Sequence, residues 1–354
     1  MKQPSWMIEV KKLCIVCRNL SWFQVGYFHN SWNFNFSDVM KISVVIATRS
    51  NDHAILNLQR LFKSLKNQTS PLFEVLLICD RVFQQDEFLS FQNAFSEFLE
   101  SDFPLKLITN LNSSFSPQSP WWVCSARNFW ISLAKGDFIQ LFDDDNEVDP
   151  CFLSEELSYY ALLHQQYQTE IILCPTLKYK DTSLIQNQGF SSFLYWQARP
   201  QIHRDQEALY EEIQMFSGNG IFGKREVLQS VSYDENIARI SEDIDYTLSL
   251  HEKGVKLFCI KDLENRHYER EKTLLEQARI WNYEQVKQKS RNRFLFVKKH
   301  GNLFQKILFF VIWLPWILLW LSIKILRYAG DQKKNLFKGL KDWIHIGVKH
   351  WFSS

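Results

Sequence analysis

Between Ile42 and Phe142 four short apolar runs alternate with stretches of helical period, and that alternation restricts the chain more than any single motif. ISVVIA, from Ile42, is a continuous, largely β-branched run of the kind buried on both faces of a sheet. Ile55, Leu58, Phe62 and Leu65 then recur at helical spacing. FEVLLIC (Phe73 to Cys79) predicts a second strand, an amphipathic stretch runs from Phe88 to Leu99, and LKLIT (Leu105 to Thr109) predicts a third strand. A helix over about residues 125–134 leads into FIQLF, Phe138 to Phe142. Strand and helix in turn predict an α/β domain with a mostly parallel sheet. Ligands of such sheets gather beyond the carboxyl ends of the strands. Three of those ends are polar here: Thr48 and Arg49, Asp80, and Asp143 to Asp145.

The 354 residues, 46% of them hydrophobic, suffice for a full core with appendages. A net charge of +2 argues against a general nucleic-acid binder, which needs a strongly basic face. Of the seven cysteines only Cys14 and Cys17 form a C-x-x-C, and no second pair at zinc spacing accompanies them. Several others sit in apolar runs, as buried reduced thiols of a cytosolic domain do. Residues 1–39 show no clear period and no secretory h-region. MKISVVIATRS from Met40 has the character of a domain start, so residues 1–39 are expected to be an irregular extension upstream of it.

FIQLFDDDNEVDP is the strongest local signal. Three consecutive aspartates at a strand end repel one another unless a cation sits among them. Carboxylates of this kind suit Mg2+ or Mn2+ shared with substrate phosphates. An EF-hand is excluded, because Val148 stands where the loop needs glycine and Ser154 where it needs glutamate. The plain alternative is an acidic turn capping the next helix. SGNGIFGKR (Ser217 to Arg225) contains G-x-G-x-x-G, yet no apolar strand precedes it and Arg225 replaces the Ser or Thr of a phosphate loop. A nucleotide site is therefore expected elsewhere.

ISVVIATRSND, FEVLLICD, SARNFWISLAKGDFIQLFDDDNEVDP, SGNGIFGKREVL and SEDIDYTLSLHEKGVKLFC occur in that order, and together they resemble the family 2 glycosyltransferases over about residues 41–300. The resemblance implies a GT-A fold: one Rossmann-like, mixed and mostly parallel sheet flanked by helices. It implies that Asp145 ligates a divalent metal, Mg2+ or Mn2+, while Asp143 touches ribose or metal. Thr48 and Arg49 at the first strand's end, Asp80 near the base, Arg127 near the diphosphate, and Asp144 inside the acidic triplet would line the donor nucleotide. Gly218 and Asn219 match the acceptor-side segment, and Glu242 and Asp243 the acid pair whose aspartate is the general base. His267 falls where members place a histidine that contacts metal or phosphate; an ordinary packed histidine is the alternative. The chain departs from the pattern at Ala47, at Cys79-Asp80-Arg81, and at Trp121, Trp122 and Val123, where a glycine is common.

The implied chemistry is coherent on physical grounds. A metal and Arg127 would neutralise charge developing on a diphosphate leaving group. A carboxylate must take the proton of the attacking hydroxyl, and direct displacement inverts the anomeric carbon. Asp243 is preferred over nearby Asp245 by the motif match alone. A glycoside hydrolase would need neither the arginine nor the acidic triplet. A nucleotidyltransferase lacks its glycine-rich loop here, and a catalytically silent sugar-nucleotide-binding membrane partner remains the competing reading.

After the domain spanning residues 40–300, ILFFVIWLPWILLWLSI (307–323) is seventeen residues without a charge. As a helix it is about 26 Å long against a hydrocarbon core of about 30 Å. Residues 304–328 are thus expected to form a transmembrane or re-entrant helix that contacts membrane lipid, and residues 329–354 an amphipathic interfacial tail. These expectations combine into an enzyme on the cytoplasmic face of a membrane, taking a nucleotide-diphosphate sugar and a glycan or lipid-linked acceptor in cell-envelope polysaccharide synthesis.

Overall fold

The computed structural model describes residues 40–48, 52–79, 83–109, 122–180, 182, 184–194, 199–201, 208–216, 219–237, 242–268, 283–328 and 333–352. The expectations placed on residues 1–39, Arg49, Asp80, Trp121 and Gly218 lie outside the described residues.

Each apolar run of the first half becomes a strand: Ile42–Thr48 (β1), Glu74–Cys79 (β2), Leu105–Ile108 (β3) and Phe138–Asp143 (β4). They lie in the order β3-β2-β1-β4 and every pairing is parallel. The helix Asp52–Lys66 covers one face by burying Leu58, Leu61, Phe62 and Leu65. Phe62 meets Phe95 and Phe98 edge to face at 5.4 and 5.3 Å, a geometry that suits the ring quadrupoles and holds the β3 edge of the sheet.

The second half is less regular: Asn146–Val148 (β5), Ile171–Tyr179 (β6), Ile185–Asn187 (β7), Ser192–Leu194 (β8), Arg199–Gln201 (β9), Tyr210–Ile213 (β10), Phe222–Lys224 (β11) and Lys256–His267 (β12). The main sheet runs β10-β12-β6-β11-β4-β1-β2-β3, with β5 added to β12 and β7 to β6; β8 and β9 form a separate ribbon. Strand β11 is antiparallel to both β4 and β6, so the sheet is mixed.

Two glycines of the SGNGIFGKR stretch have packing reasons rather than a ligand. Gly220 has φ +95°, and a Cβ there would lie 2.5 Å from Pro175 Cγ. A Cβ at Gly223 would lie 2.4 Å from Ile172 Cδ1. The space at both is filled by β6, not left open for substrate. Pro175 brings no donor to the sheet, and the register between β6 and β12 breaks just after it, between Ile260 and Glu264.

Beyond the sheet the chain continues as helix Tyr283–His300, helix Leu303–Leu308, a five-residue π-turn Phe309–Trp313, helix Leu314–Tyr328 and helix Lys333–Phe352. The π-turn ends two residues before Pro315, and the Leu314 N–H reaches the Phe309 carbonyl five residues back. A proline there has no N–H and its ring crowds the carbonyl four residues earlier; the wider turn absorbs both without ending the helix. The stretch Leu303–Ile323 is, by length and composition, apolar enough to cross a membrane.

Candidate active site

Strands β1 and β4 are neighbours, while the chain leaves them toward opposite halves of the sheet, so a crevice opens beyond their carboxyl ends. Thr48 closes β1 and donates its hydroxyl to Asp144 Oδ2 at 2.7 Å across that crevice. Asp143 ends β4, and its N–H donates to Asn219 Oδ1 at 3.1 Å. Asn219 is buried, and its Nδ2 has no partner among the described residues.

The end of β12 closes over the acidic triplet. The Tyr268 N–H donates to the Asp145 carbonyl at 2.8 Å, which brings His267 Nε2 to 2.9 Å from Asp145 Oδ2. His267 Nδ1 lies 2.8 Å from Gln186 Oε1. The other carboxylate oxygen, Asp145 Oδ1, is buried without a hydrogen-bond partner among the described residues.

Arg127 enters from the helix Trp122–Leu133. Ala126 and Trp130 root that helix in the core, and Asn128 locks it by a pair of bonds to the Tyr233 backbone, at 2.9 and 2.7 Å. The Arg127 guanidinium donates to Asp243 Oδ1 through Nη1. It also lies 3.6 Å from Glu242 Oε1 and 3.5 Å from Asp143 Oδ1. Its Cζ is 5.2 Å from the Tyr233 ring, which stacks on Tyr246 at 4.0 Å.

Three acids around one cation are short of compensating charge. Burial is the main cause that pushes the Asp243 carboxyl up to about 8, with Glu242 and Asp143 adding to it and Arg127 opposing. Burial raises Asp143 as well, aided by Asp145 and opposed by Arg127. For Arg127 burial works against the charge, but Asp243, Tyr233, Asp143 and Glu242 outweigh it and hold the guanidinium pKa above its usual value.

Asp245 has a different setting. It is 0% exposed and pairs with Lys299 Nζ at 2.7 Å and His300 Nε2 at 2.8 Å, both on the helix Tyr283–His300.

Of the residues expected from the sequence, Thr48, Arg127, Asp143, Asp144, Asp145, Asn219, Glu242, Asp243 and His267 surround this crevice. Tyr233, Gln186 and the clamp by Asn128 were not foreseen. Asn128 adjoins Arg127 in sequence and was the one with a local signal; Tyr233 and Gln186 arrive through long-range folding.

No three His, Cys, Asp or Glu side chains converge as a metal cage among the described residues. The orphaned Asp145 oxygen beside a histidine nitrogen nevertheless fits a hard divalent cation that takes one or two protein ligands and completes its shell with phosphate and water. Asp143, whose carboxylate turns toward Arg127, is less directly placed for it.

A mixed sheet with an acidic triplet at the β4 end and an arginine facing it is the arrangement of a GT-A glycosyltransferase. The family model for glycosyl transferase family 2 matches residues 43–232, and the chain belongs to that family. It is accordingly a glycosyltransferase. Among solved structures, S. aureus TarS residues 1–349 in complex with UDP-GlcNAc is 15% identical, covering 88% of this chain and 83% of that one, with a TM-score of 0.50. GalNAc-T7 with UDP, GalNAc and Mn2+ is also 15% identical, covering 88% of this chain and 56% of that one, with a TM-score of 0.53. At that identity the likeness shows the fold. No curated protein matches the chain.

Proposed function

We propose that the chain transfers a sugar from a nucleotide-diphosphate sugar to a hydroxyl of a glycan or lipid-linked acceptor, inverting the anomeric carbon. It does so on the cytoplasmic face of a membrane, in the building of cell-envelope polysaccharide. The observation that carries this reading is the double engagement of Arg127, which faces Asp143 at the end of β4 and Asp243 on the helix Glu242–Glu252. A diphosphate drawn to that guanidinium lies beside the carboxylate that must take the acceptor's proton.

Thr48 and Asp144, with Arg49 and Asp80, line the nucleotide, and Gly218, Asn219 and Glu242 line the acceptor side. Asp145 and His267, beside Asp143, would hold Mg2+ or Mn2+, which when bound neutralises charge on the leaving diphosphate. Arg127 donates to Asp243 Oδ1. Arg127 favours the ionised form of Asp243, and in that form the carboxylate takes the proton of the acceptor hydroxyl. The apolar stretch 307–323 attaches the enzyme to the membrane, close to lipid-linked acceptors.

A thermal-shift panel of nucleoside diphosphates, with and without Mn2+, tests the donor half. Uridine diphosphate is tried first, because the similar TarS and GalNAc-T7 structures hold UDP-GlcNAc and UDP. Metal-dependent stabilisation by one diphosphate, absent in Asp145→Asn, is expected. A folded protein that no diphosphate stabilises would overturn the reading.

A further inference from the structure

The helical stretch Leu303–Tyr328 has two faces with different fates. Phe309, Ile317 and Leu321 are buried in one cluster with Phe294 and Val297 of helix Tyr283–His300 and Leu340 of helix Lys333–Phe352. On the other face Phe304, Ile307, Val311, Trp316, Leu319 and Ile323 stand 40 to 69% exposed. Their spacings are three, four, five, three and four residues, and the five-residue step crosses the π-turn. The wider turn thus keeps all six in one stripe.

Charge indicates what covers that stripe. Residues 283–354 hold 14 Lys and Arg against three Asp and Glu, whereas residues 1–282 hold 27 against 36. Lys333, Lys334, Lys338 and Lys341 are all exposed on the helix that packs beside the apolar one. A strongly basic module with one uncovered apolar stripe complements a surface that is apolar beneath and negative on top.

The geometry points to a monotopic seat: the stripe lies in the near leaflet of a bilayer with anionic headgroups, its helix along the surface and not across it. This deepens the membrane attachment proposed above and rests on it. Crossing is disfavoured because the buried face stays packed against the lysine-bearing helices. A spanning helix would drag the exposed Lys338 and Lys341 toward hydrocarbon, where burying a charge is costly. Seated flat, the same lysines stand at headgroup level, where long basic side chains are favoured.

The full chain is tested in two ways. Binding to phosphatidylcholine vesicles with and without phosphatidylglycerol is measured by sedimentation. We expect at least about tenfold tighter binding with the anionic lipid, weakening as salt is raised. The quadruple variant Lys333→Glu, Lys334→Glu, Lys338→Glu, Lys341→Glu, its helicity checked by circular dichroism, loses that preference. Separately, Leu303→Cys and Lys333→Cys are labelled with an impermeant maleimide in inside-out and right-side-out membrane vesicles, above the native cysteine background. Both positions labelling only in inside-out vesicles is the expected result. One position labelling in each type would show a spanning helix and overturn the seat, as would equal affinity for neutral vesicles. Failure to bind any vesicle would remove membrane attachment itself, while the diphosphate-dependent thermal shift on the same sample reports independently on the transferase site.

Discussion

Asp243 and Asp245 sit two residues apart on the helix Glu242–Glu252, about 200° around its axis, and their surroundings are opposite in kind. Asp245 is sealed from solvent with two basic partners, Lys299 and His300. His300 also reaches Glu252 Oε2 at 2.8 Å, so both of its ring nitrogens face carboxylates. Asp243 shares a single arginine with Glu242 and Asp143. One aspartate is satisfied and ties the base-bearing helix to the C-terminal helices. The other is held in a cluster with too few cations, the condition in which a carboxyl keeps a proton affinity useful for chemistry. Identical side chains on one helix thus divide into a structural and a chemical role by the face they occupy.

The largest effect that would sharpen this contrast is on turnover. Asp243→Asn is expected to lower sugar transfer by about 10²- to 10⁴-fold, the usual contribution of a positioned general base, with thermal stability kept or raised. A variant that remains active would erase the distinction. Next comes stability. Asp245→Asn removes the buried negative charge that Lys299 and the enclosed His300 face, and turns an amide N–H group toward one of them. It should cost about 3 kcal/mol, at the low end for a broken buried pair because Lys299 retains water. Urea denaturation measures this, and diphosphate binding by the folded fraction should persist.

A third, smaller effect is the pH dependence of stability. With its folded carboxyl pushed up to about 8, Asp243 keeps a proton that the unfolded chain gives up near its ordinary value. Between about pH 4 and 8 the native state therefore binds more protons, and Asp243 makes stability fall as pH rises. Denaturation midpoints across that window should decline less steeply in Asp243→Asn than in the parent. The smallest expected effect is the coupling between Asp245 and Lys299. A double-mutant cycle with Asp245→Asn and Lys299→Met should return about 1 kcal/mol or less, because the Lys299 end of the pair is open to water.

The parallel half of the sheet was legible in the sequence because strands buried on both faces leave unbroken apolar runs, as ISVVIA and FEVLLIC do. Three-residue strands such as β5, β7 and β11 carry no such run, so the mixed character of the sheet was expected from the family resemblance and not from the apolar pattern. The strand order of the second half was not expected at all. The acidic triplet announced itself through repulsion among neighbours in sequence. The separation of Asp243 from Asp245 did not, since it depends on Arg127, 116 residues before Asp243, and on Lys299 and His300, 54 and 55 residues beyond Asp245. In the apolar tail the uncharged run was plain, but its two faces were not. Only packing against Phe294, Val297 and Leu340 distinguishes a stripe from a uniformly apolar span.

The most direct test measures nucleoside diphosphate release from the donor sugar, at matched folded concentrations, by the parent, Asp243→Asn and Asp245→Asn. The account predicts turnover nearly abolished in Asp243→Asn and retained per folded molecule in Asp245→Asn, with diphosphate binding intact in both. Turnover retained in Asp243→Asn and lost in Asp245→Asn would contradict it.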